Sequence, residues 1–339
     1  MNLEQKTENF LQRLPWRRRN QQLLIDLVDS CPGGCPTCPV GVQKRRDGHR
    51  MNLDTFKRIL DKAQSECNLL RVQLYRWSDP LTHPKIHEFI EECVGRDLPC
   101  STSSFLQHTT CDWDAVAMSG VTEFRVSFSG WKGMHKYQYP ATPGKFLMKF
   151  DMLSHLEWHP DTEKVFFFHI YKDNKDEIEP ARRLAENAGF KFVTFPATLM
   201  VYDHIIEGYT KEDLETISWL TESPEENIAR HRRKPHKDDW CNMQERDITL
   251  DSYGNMQLCQ MMYPAKYKMG SFLDTPLRDL RSAIMKHPMC PKCKAKGVGH
   301  YALIFSDPAK DKDTVAVANK GKYHQDPPIW YADDAKDIL

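Results

Sequence analysis

The chain has no excess charge, no long apolar run and no hydrophobic segment near its start. Lys and Arg number 47, and so do Asp and Glu, so no whole-chain field attracts nucleic acid or an anionic membrane. No apolar run approaches the length of a membrane span, and residues 1–19 lack the hydrophobic core of a secretory signal. We therefore expect a cytoplasmic protein without membrane contact, in which 339 residues form one large domain and a small one.

Cysteine is plentiful, but its spacing is not that of a disulfide framework. The eleven cysteines form a trio, a later group and isolated positions, which favours intracellular metal ligands. The trio is Cys31, Cys35 and Cys38, on a loop rich in Pro and Gly after the apolar segment Leu23–Val28. Three thiolates on one loop can hold three irons of a cubane cluster and leave the fourth iron for another ligand. From this spacing alone, an open cluster and a zinc site remain as alternatives.

Four more cysteines lie late in the chain, namely Cys241, Cys259, Cys290 and Cys293. A predicted β-hairpin with its turn at Gly254 leads into the second of them. Thiols from two distant segments make a closed site. Structural zinc is the usual interpretation of four cysteines that include a Cys-x2-Cys pair, and a fully ligated cubane cluster is the alternative.

Strands and helices alternate from residue 23 onward, which predicts a parallel sheet. Short apolar runs bounded by turn residues mark the strands, and apolar residues at helical spacing mark the helices. The predicted strands are Leu23–Asp29, Leu70–Trp77, Cys100–Leu106, Glu123–Ser129, Val165–Tyr171 and Phe190–Pro196. The predicted helices are Leu53–Glu66, Pro84–Val94, Trp113–Met118, Gly144–Leu156, Ile178–Ala188 and Leu277–Met285.

The trio and a second stretch together resemble a known enzyme family. The spacing Cys-x3-Cys-x2-Cys after a first strand resembles the radical S-adenosylmethionine (radical SAM) enzymes. The stretch Leu74–Pro84 resembles a strand end that reads Gly-Glu-Pro in this family, although here the three residues are Ser78-Asp79-Pro80. In the cysteine loop, Thr37 stands directly before Cys38 where the family commonly has an aromatic residue. The resemblance implies an α/β fold, a partial (β/α)6 TIM-type barrel, with a [4Fe–4S] cluster held by the trio. The open iron of this cluster would bind SAM.

The resemblance also implies an activity and a set of SAM contacts. The reduced cluster cleaves SAM to methionine and a 5′-deoxyadenosyl radical, which abstracts hydrogen from a substrate. A one-electron donor such as flavodoxin or ferredoxin would be a partner. The implied SAM contacts lie at the C-terminal strand ends and are Trp77, Ser78, Asp79, Pro80, Ser103, Ser127, Ser129 and Lys172. For each of these serines the alternative role is a helix cap or a turn, and for Lys172 the alternative is a solvated amine.

The later cysteine group resembles the Twitch version of the SPASM domain, in which a hairpin with Gly-x4-Cys precedes a Cys-x2-Cys pair. The layout is similar to that of two family members, 2-deoxy-scyllo-inosamine dehydrogenase and neomycin epimerase. It implies a second, auxiliary [4Fe–4S] cluster with all four cysteines as ligands. The epimerase pattern has a further cysteine after the pair, and residues 294–300 have none. In epimerases of this class that cysteine returns a hydrogen atom to the substrate. His300 and Tyr301 are candidates for this role by their position alone.

The expected organisation has five parts, and basic runs occur in two of its loops. Residues 44–46 and 230–237 carry clustered Lys and Arg; such runs are usually solvated, and an anion site at the barrel mouth is the alternative. The expected parts are a helix and tether over 1–22, the barrel over 23–220, a charged linker over 221–240, an auxiliary-cluster domain over 241–300 and a tail over 301–339.

Four functional hypotheses follow from these features. The favoured one is radical chemistry on a small polar substrate, such as a sugar, aminocyclitol, nucleoside or amino-acid derivative, leading to oxidation or to a redox-neutral isomerisation or epimerisation. Modification of a ribosomal peptide is the second. Modification of a base in DNA or RNA is the third, and salt-dependent binding would reveal it. A non-enzymatic iron–sulfur module is the fourth. The sequence identifies neither the substrate nor the catalytic acid or base.

Overall fold

One sheet carries the fold in the part of the chain that the structure, a computed structural model, describes, which is residues 20–43, 48–231, 241, 243, 246–263 and 265–301. Its strands are β1 (Asn20–Ile25), β2 (Asn68–Gln73), β3 (Cys100–Ser104), β4 (Glu123–Phe128), β5 (Glu163–Ile170), β6 (Lys191–Pro196), β7 (Asp247–Leu250), β8 (Asn255–Gln257) and β9 (Lys268–Ser271). Their order is β6-β5-β4-β3-β2-β1-β7-β8-β9. Strands β1 to β7 pair in parallel, whereas β8 and β9 are antiparallel additions at one end.

Helices connect most of the strands. They are α1 (Pro39–Gln43), α2 (Leu53–Glu66), α3 (Ile86–Val94), α4 (Trp113–Met118), α5 (Met134–Tyr137), α6 (Pro143–Ser154), α7 (Ile178–Asn187), α8 (Tyr202–Glu207), α9 (Lys211–Trp219), α10 (Pro224–His231), α11 (Leu277–Lys286), α12 (Met289–Lys296) and α13 (Val298–Tyr301). Each of the first six strands is followed by helix, which gives the partial (β/α)6 barrel that the resemblance implies. The sheet is not closed, since β6 and β9 are its two edges.

Residues alternate between the two faces of the barrel wall, as strand geometry requires. In β4, Phe124 and Phe128 are fully buried in the hydrophobic core, and Phe128 packs on Phe146 of α6 with ring centroids 4.5 Å apart. Val126 is buried with them, whereas the alternate residues Arg125 and Ser127 face the lumen and are only partly buried. The helices therefore cover an apolar outer face, and the lumen keeps a polar, water-accessible wall.

The predicted elements agree with this fold, with shifts at the strand ends. Helices α2 and α4 have the predicted bounds, and the predicted parallel sheet is confirmed. Strand β1 begins at Asn20 rather than Leu23, since the polar Gln21 and Gln22 are buried in the sheet. Helix α10 lies within the predicted linker; Ser223 and Glu226 cap its start through reciprocal hydrogen bonds of 2.8 and 3.2 Å.

The C-terminal hairpin continues the barrel sheet. Strand β7 pairs in parallel with β1, with Gln22 opposite Asp247, and the predicted hairpin is present as β7 and β8. The buried Asp247 carboxylate accepts hydrogen bonds of 2.6 Å from Gln22 Nε2 and from Gln260 Nε2. The predicted auxiliary segment is thus attached to the first barrel strand by backbone pairing and by buried polar contacts.

Some predictions lie outside the described residues. These are the N-terminal helix and tether over 1–19, the basic run over 44–46, the linker from 232 to 240 and the tail from 302 onward. Among the helices of the described part, none combines the length and the apolar character needed to cross a membrane.

Candidate active site and its two cysteine groups

Cys31, Cys35 and Cys38 converge on the loop after β1, and we call them the first cysteine group. A Cβ built on Gly33 would lie 3.4 Å from Cys31 Sγ and 3.3 Å from Cys35 Sγ, so both sulfurs face the same point. The Gly33 N–H donates to Cys31 Sγ at 3.4 Å. Burial, followed by the charges of Asp79 and the other two thiols, raises the pKa of Cys31 well above its ordinary value. The loop therefore brings three thiols into one electrostatic environment.

The loop is clamped on two sides. A Cβ on Gly41 of α1 would lie 2.2 Å from the Cys35 carbonyl oxygen, so glycine is required for this close approach. On the other side, Met200 N donates to the Thr37 carbonyl at 2.7 Å, and the Thr37 hydroxyl bonds to the phenol of Tyr171, just after β5. Thr37, which departs from the family pattern, is thus an anchor of the loop.

The strand end that was predicted to contact SAM is held by a residue that the sequence did not single out. Asp26, just after β1, accepts hydrogen bonds from the backbone N–H groups of Arg76 (2.9 Å), Trp77 (2.9 Å) and Ser78 (3.0 Å). It also accepts the Ser78 hydroxyl at 2.7 Å. Burial raises the pKa of Asp26, while these donors lower it. One buried carboxylate therefore fixes the turn that follows β2.

Asp79 is buried, and both of its oxygens have partners within the protein. Oδ1 accepts from Leu81 N at 3.1 Å, and Oδ2 accepts from Ser104 Oγ at 2.7 Å and from Phe105 N at 3.4 Å. Burial raises the pKa of Asp79 to about 6, although these hydrogen bonds lower it. The side chain ties the end of β2 to the end of β3, beside the first cysteine group. Pro80 begins a short 3-10 turn, Pro80–Thr82.

Trp77 carries a buried donor without a partner. Its side chain is 6% exposed, its ring meets Tyr263 edge-on at 5.9 Å, and its Nε1 has no hydrogen-bond partner among the described residues. An unsatisfied buried donor costs roughly 1–3 kcal/mol. A polar atom of a bound molecule would satisfy this donor.

The predicted serines lie on or beside the lumen wall. Ser103 and Ser127 are partly buried on the lumen side of β3 and β4, and Ser127 Oγ is 2.9 Å from His169 Nε2 of β5. Ser129 is buried, and its carbonyl accepts a 3.0 Å hydrogen bond from Asn174 Nδ2. Asn174 also donates to the His169 carbonyl at 2.9 Å. The serine and histidine pair offers hydrogen bonds to the lumen, whereas Ser129 contributes to the joint between β4 and β5.

Two other candidates have partners outside the first cysteine group. Lys172 is exposed, and its Nζ donates to the Ser218 carbonyl at the end of α9 at 2.8 Å. Tyr301 is buried and packs edge-on against Tyr202 with ring centroids 6.0 Å apart. The side chain of His300 lies outside the described residues.

His169 gives a pH prediction. Burial lowers the pKa of its imidazole from 6.5 to about 4, so the unfolded chain binds the proton first as pH falls. The free energy of unfolding should therefore decrease between pH 6.5 and about 4 in the wild type, relative to His169→Gln. Water in the lumen screens the ring, so the difference should stay below about 3 kcal/mol. Urea titrations at several pH values measure it. Ser127→Ala keeps the imidazole and should retain the acid sensitivity; equal slopes in the wild type and His169→Gln would contradict the assignment.

The later cysteines form a second cysteine group, consisting of Cys241, Cys259, Cys290 and Cys293. Burial is the largest cause that raises the pKa of the Cys259 thiol well above its ordinary value, and the charges of the other three thiols raise it further. The pKa of Cys293 rises to about 12, through burial and then through Cys241 and Cys290. Backbone N–H groups of Met261 and Gly299 bond to Cys259 and Cys293, respectively. The fold therefore brings all four thiols together from three segments.

The other four cysteines remain apart from both groups. Cys67 and Cys93 are buried core residues. Cys100 is also buried, and its thiol hydrogen bonds with that of Cys93. Cys111 is partly buried near Asp79.

The donor sets fit iron–sulfur clusters. Thiolates that repel one another in a buried site need a positive core, and N–H···S hydrogen bonds of the kind seen in both groups surround such cores. Among the described residues, no three His, Cys, Asp or Glu side chains are arranged to hold a single metal ion. The cysteines of a cubane bind different irons, so they stand further apart than the ligands of one ion. Cys31, Cys35 and Cys38 would hold the first cluster, and the second cysteine group would hold another.

Comparisons with known proteins give a shared fold. No protein-family model and no curated protein sequence matches the chain. Streptococcus suis SuiB bound to precursor peptide SuiA superposes with a TM-score of 0.59 at 11% identity, covering 87% of this chain and 74% of SuiB. Native anSMEcpe with bound AdoMet gives 0.50 at 12% identity, covering 85% and 84%. BtrN in complex with AdoMet and 2-DOIA gives 0.45 at 12% identity, covering 91% and 97%.

Proposed function

We propose that this chain is a radical SAM enzyme with two [4Fe–4S] clusters, the second in a Twitch-like segment. The observation that carries the proposal is the pair of cysteine groups: three converging thiols on the loop after β1, and four converging thiols in the C-terminal segment. The fold that the chain shares with SuiB and with SAM-bound anSMEcpe supports it. Three ligands leave one iron of the first cluster for SAM, whereas four ligands close the second.

When bound, the first cluster and SAM supply a hydrogen-abstracting 5′-deoxyadenosyl radical, and the residues of this chain prepare the surroundings. Asp26 fixes the strand end beside the cluster loop, and the unpartnered Trp77 Nε1 would donate to a polar atom of SAM. Asp79 would act through its position and through the backbone that it orders, because its carboxylate oxygens already have partners.

The lumen wall supports a small polar substrate. Ser127 and the neutral imidazole of His169 offer hydrogen bonds at the C-terminal ends of β4 and β5. Deeper in the wall, Arg125 is paired with Glu123 and donates to the Tyr75 hydroxyl at 2.7 Å, so its charge is already balanced. A neutral, hydrogen-bonding wall suits hydroxyl and amino groups better than phosphates. Peptide modification is the second candidate, since SuiB carries a precursor peptide.

Anaerobic reconstitution tests the proposal. The protein should hold about eight irons, as two four-iron clusters require, and with dithionite it should convert SAM to 5′-deoxyadenosine and methionine. A reaction without dithionite is the control and should give neither product. About four irons together with one zinc would contradict the second cluster, and iron-loaded protein that leaves SAM intact would contradict the enzymatic assignment.

Isotope transfer then separates the substrate classes. Deuterated aminocyclitols and sugars are incubated in parallel with deuterated peptides, and deuterium is measured in the 5′-deoxyadenosine formed. Transfer from a small polar compound supports the favoured class, and transfer from peptides alone supports the second. A second cluster left reduced after turnover, seen by electron paramagnetic resonance, indicates oxidation. An oxidised cluster with solvent hydrogen in the product indicates a redox-neutral reaction.

A further inference from the structure

One arginine connects the two cysteine groups. Arg76, just after β2, donates through Nε to the carbonyl of Gln260 at 2.5 Å, and Gln260 directly follows Cys259. Its guanidinium also donates to the Tyr202 hydroxyl and covers the Trp77 ring at 4.1 Å. The side chain therefore leaves the strand end beside the first cysteine group and reaches the loop that carries a member of the second.

The electrostatic effects of Arg76 extend to both groups. Its guanidinium is close enough to Cys38 to interact electrostatically with that residue. Tyr202, to which it is bonded, is buried and interacts electrostatically with both Cys259 and Cys38. The arginine and the tyrosine thus share a space that a member of each cysteine group also influences.

Arg76 has no ion-pair partner within the described part of the chain. No described carboxylate forms an ion pair with its guanidinium, whereas Arg125 of the lumen wall is paired with Glu123 and Arg182 of α7 with Glu179 and Glu186. The nearby Asp26 carboxylate accepts hydrogen bonds from backbone N–H groups, and its charge acts on Cys38 with the opposite sign to Arg76 and to a smaller extent. A partly buried, unpaired cation acts on its neighbours through a lower dielectric than water provides.

We propose that Arg76 is a positioning residue whose charge, set between the two cysteine groups, raises the reduction potentials of both clusters. This inference rests on the proposed function. Each reduction adds a negative charge, and a nearby cation stabilises the reduced form. Hydrogen bonds and charges around the ligands are established controls of cluster potential. An arginine that served only to tie the end of β2 to the Gln260 loop would leave the potentials unchanged once both clusters are in place.

The test is a redox titration of the reconstituted protein, followed by electron paramagnetic resonance. In Arg76→Gln, the ratio of reduced to oxidised cluster at a fixed potential should fall by about tenfold for each cluster, equivalent to about 59 mV for a one-electron couple. Arg76→Lys retains the charge and should stay close to the wild type. Arg182→Gln is the matched control, since Arg182 also covers an aromatic ring, Phe192, at 4.7 Å on the outer face.

Each outcome decides the question. Lowered potentials in Arg76→Gln, with iron content unchanged and with normal potentials in the Lys and Arg182→Gln variants, support the inference. Unchanged potentials in Arg76→Gln, or equal shifts in the Gln and Lys variants, overturn it and leave the proposed function intact. If the glutamine variant loses iron, Arg76→Met provides a second neutral side chain, and loss of iron from it as well as from Arg76→Lys assigns a purely structural role. Wild-type protein that assembles no clusters overturns the inference and the proposed function together.

Discussion

Replacing Cys31, Cys35 and Cys38 together by Ala is expected to remove about half of the iron and to abolish reductive cleavage of SAM. The three thiols converge on one loop, and no other described thiol joins them in the interactions of Cys31. Iron analysis and chromatography of 5′-deoxyadenosine measure the two effects.

A matched control removes thiols that belong to neither group. The double variant Cys67→Ala and Cys111→Ala should keep about eight irons and full cleavage activity, since these side chains lie in or against the core. Persistent SAM cleavage in the triple variant would show that the open iron is held elsewhere. Loss of all iron would show that the second cysteine group cannot assemble alone.

Gly41→Ala is expected to lower the iron content and abolish SAM cleavage nearly as much as the triple cysteine variant does, although every thiol stays in place. The added Cβ would lie 2.2 Å from the Cys35 carbonyl oxygen and 2.6 Å from Cys35 N. Both contacts are with backbone, so no side chain can rotate to relieve them, and the loop must move away from α1. We expect the first cluster to be lost and the second retained, seen as about half of the iron and no 5′-deoxyadenosine.

Gly144→Ala is the control for this substitution. Gly144 lies in α6, where an added Cβ has no neighbour within 4 Å, and alanine there should stabilise the helix by roughly 0.5–1 kcal/mol. Full iron content in Gly41→Ala would mean that the loop tolerates displacement, and the close approach would then have no role in holding the cysteines.

Local patterns in the sequence predicted the helices better than the strand ends. Helix α2 has the predicted bounds because Asn52 caps its start and its apolar residues fall on one face. The start of β1 was missed because Gln21 and Gln22 look solvent-exposed in sequence. Both are buried, and their amides are satisfied by distant partners such as Arg281 and Asp247. When the burial of a polar residue depends on partners far away in the chain, the neighbouring sequence gives no indication of it.

The same distinction applies to the candidate site. Cysteine spacing predicted the first cysteine group, because ligands on one loop stay close in any fold. The second cysteine group comes from three segments of the chain, and it was expected from the resemblance to the Twitch layout. Asp26, Gly41 and Arg76 were not predicted, since a single Asp, Gly or Arg acquires its role only when strands side by side bring their ends together. Lys172 was proposed from its place after β5, but its amine bonds to α9, whose position the sequence pattern did not reveal.

The pairing of β7 with β1 affects the order in which the protein can fold. Gln22 and Asp247 are 225 positions apart, so the first barrel strand acquires its second neighbour only after nearly the whole sheet-forming chain has been synthesised. Until then, one side of β1 presents unpaired backbone groups of the kind that recruit other chains. Closing so long a loop also makes this step slow relative to the local β/α units. Strand β7, which is synthesised late, is therefore the strand that covers the exposed edge of β1, which is synthesised first.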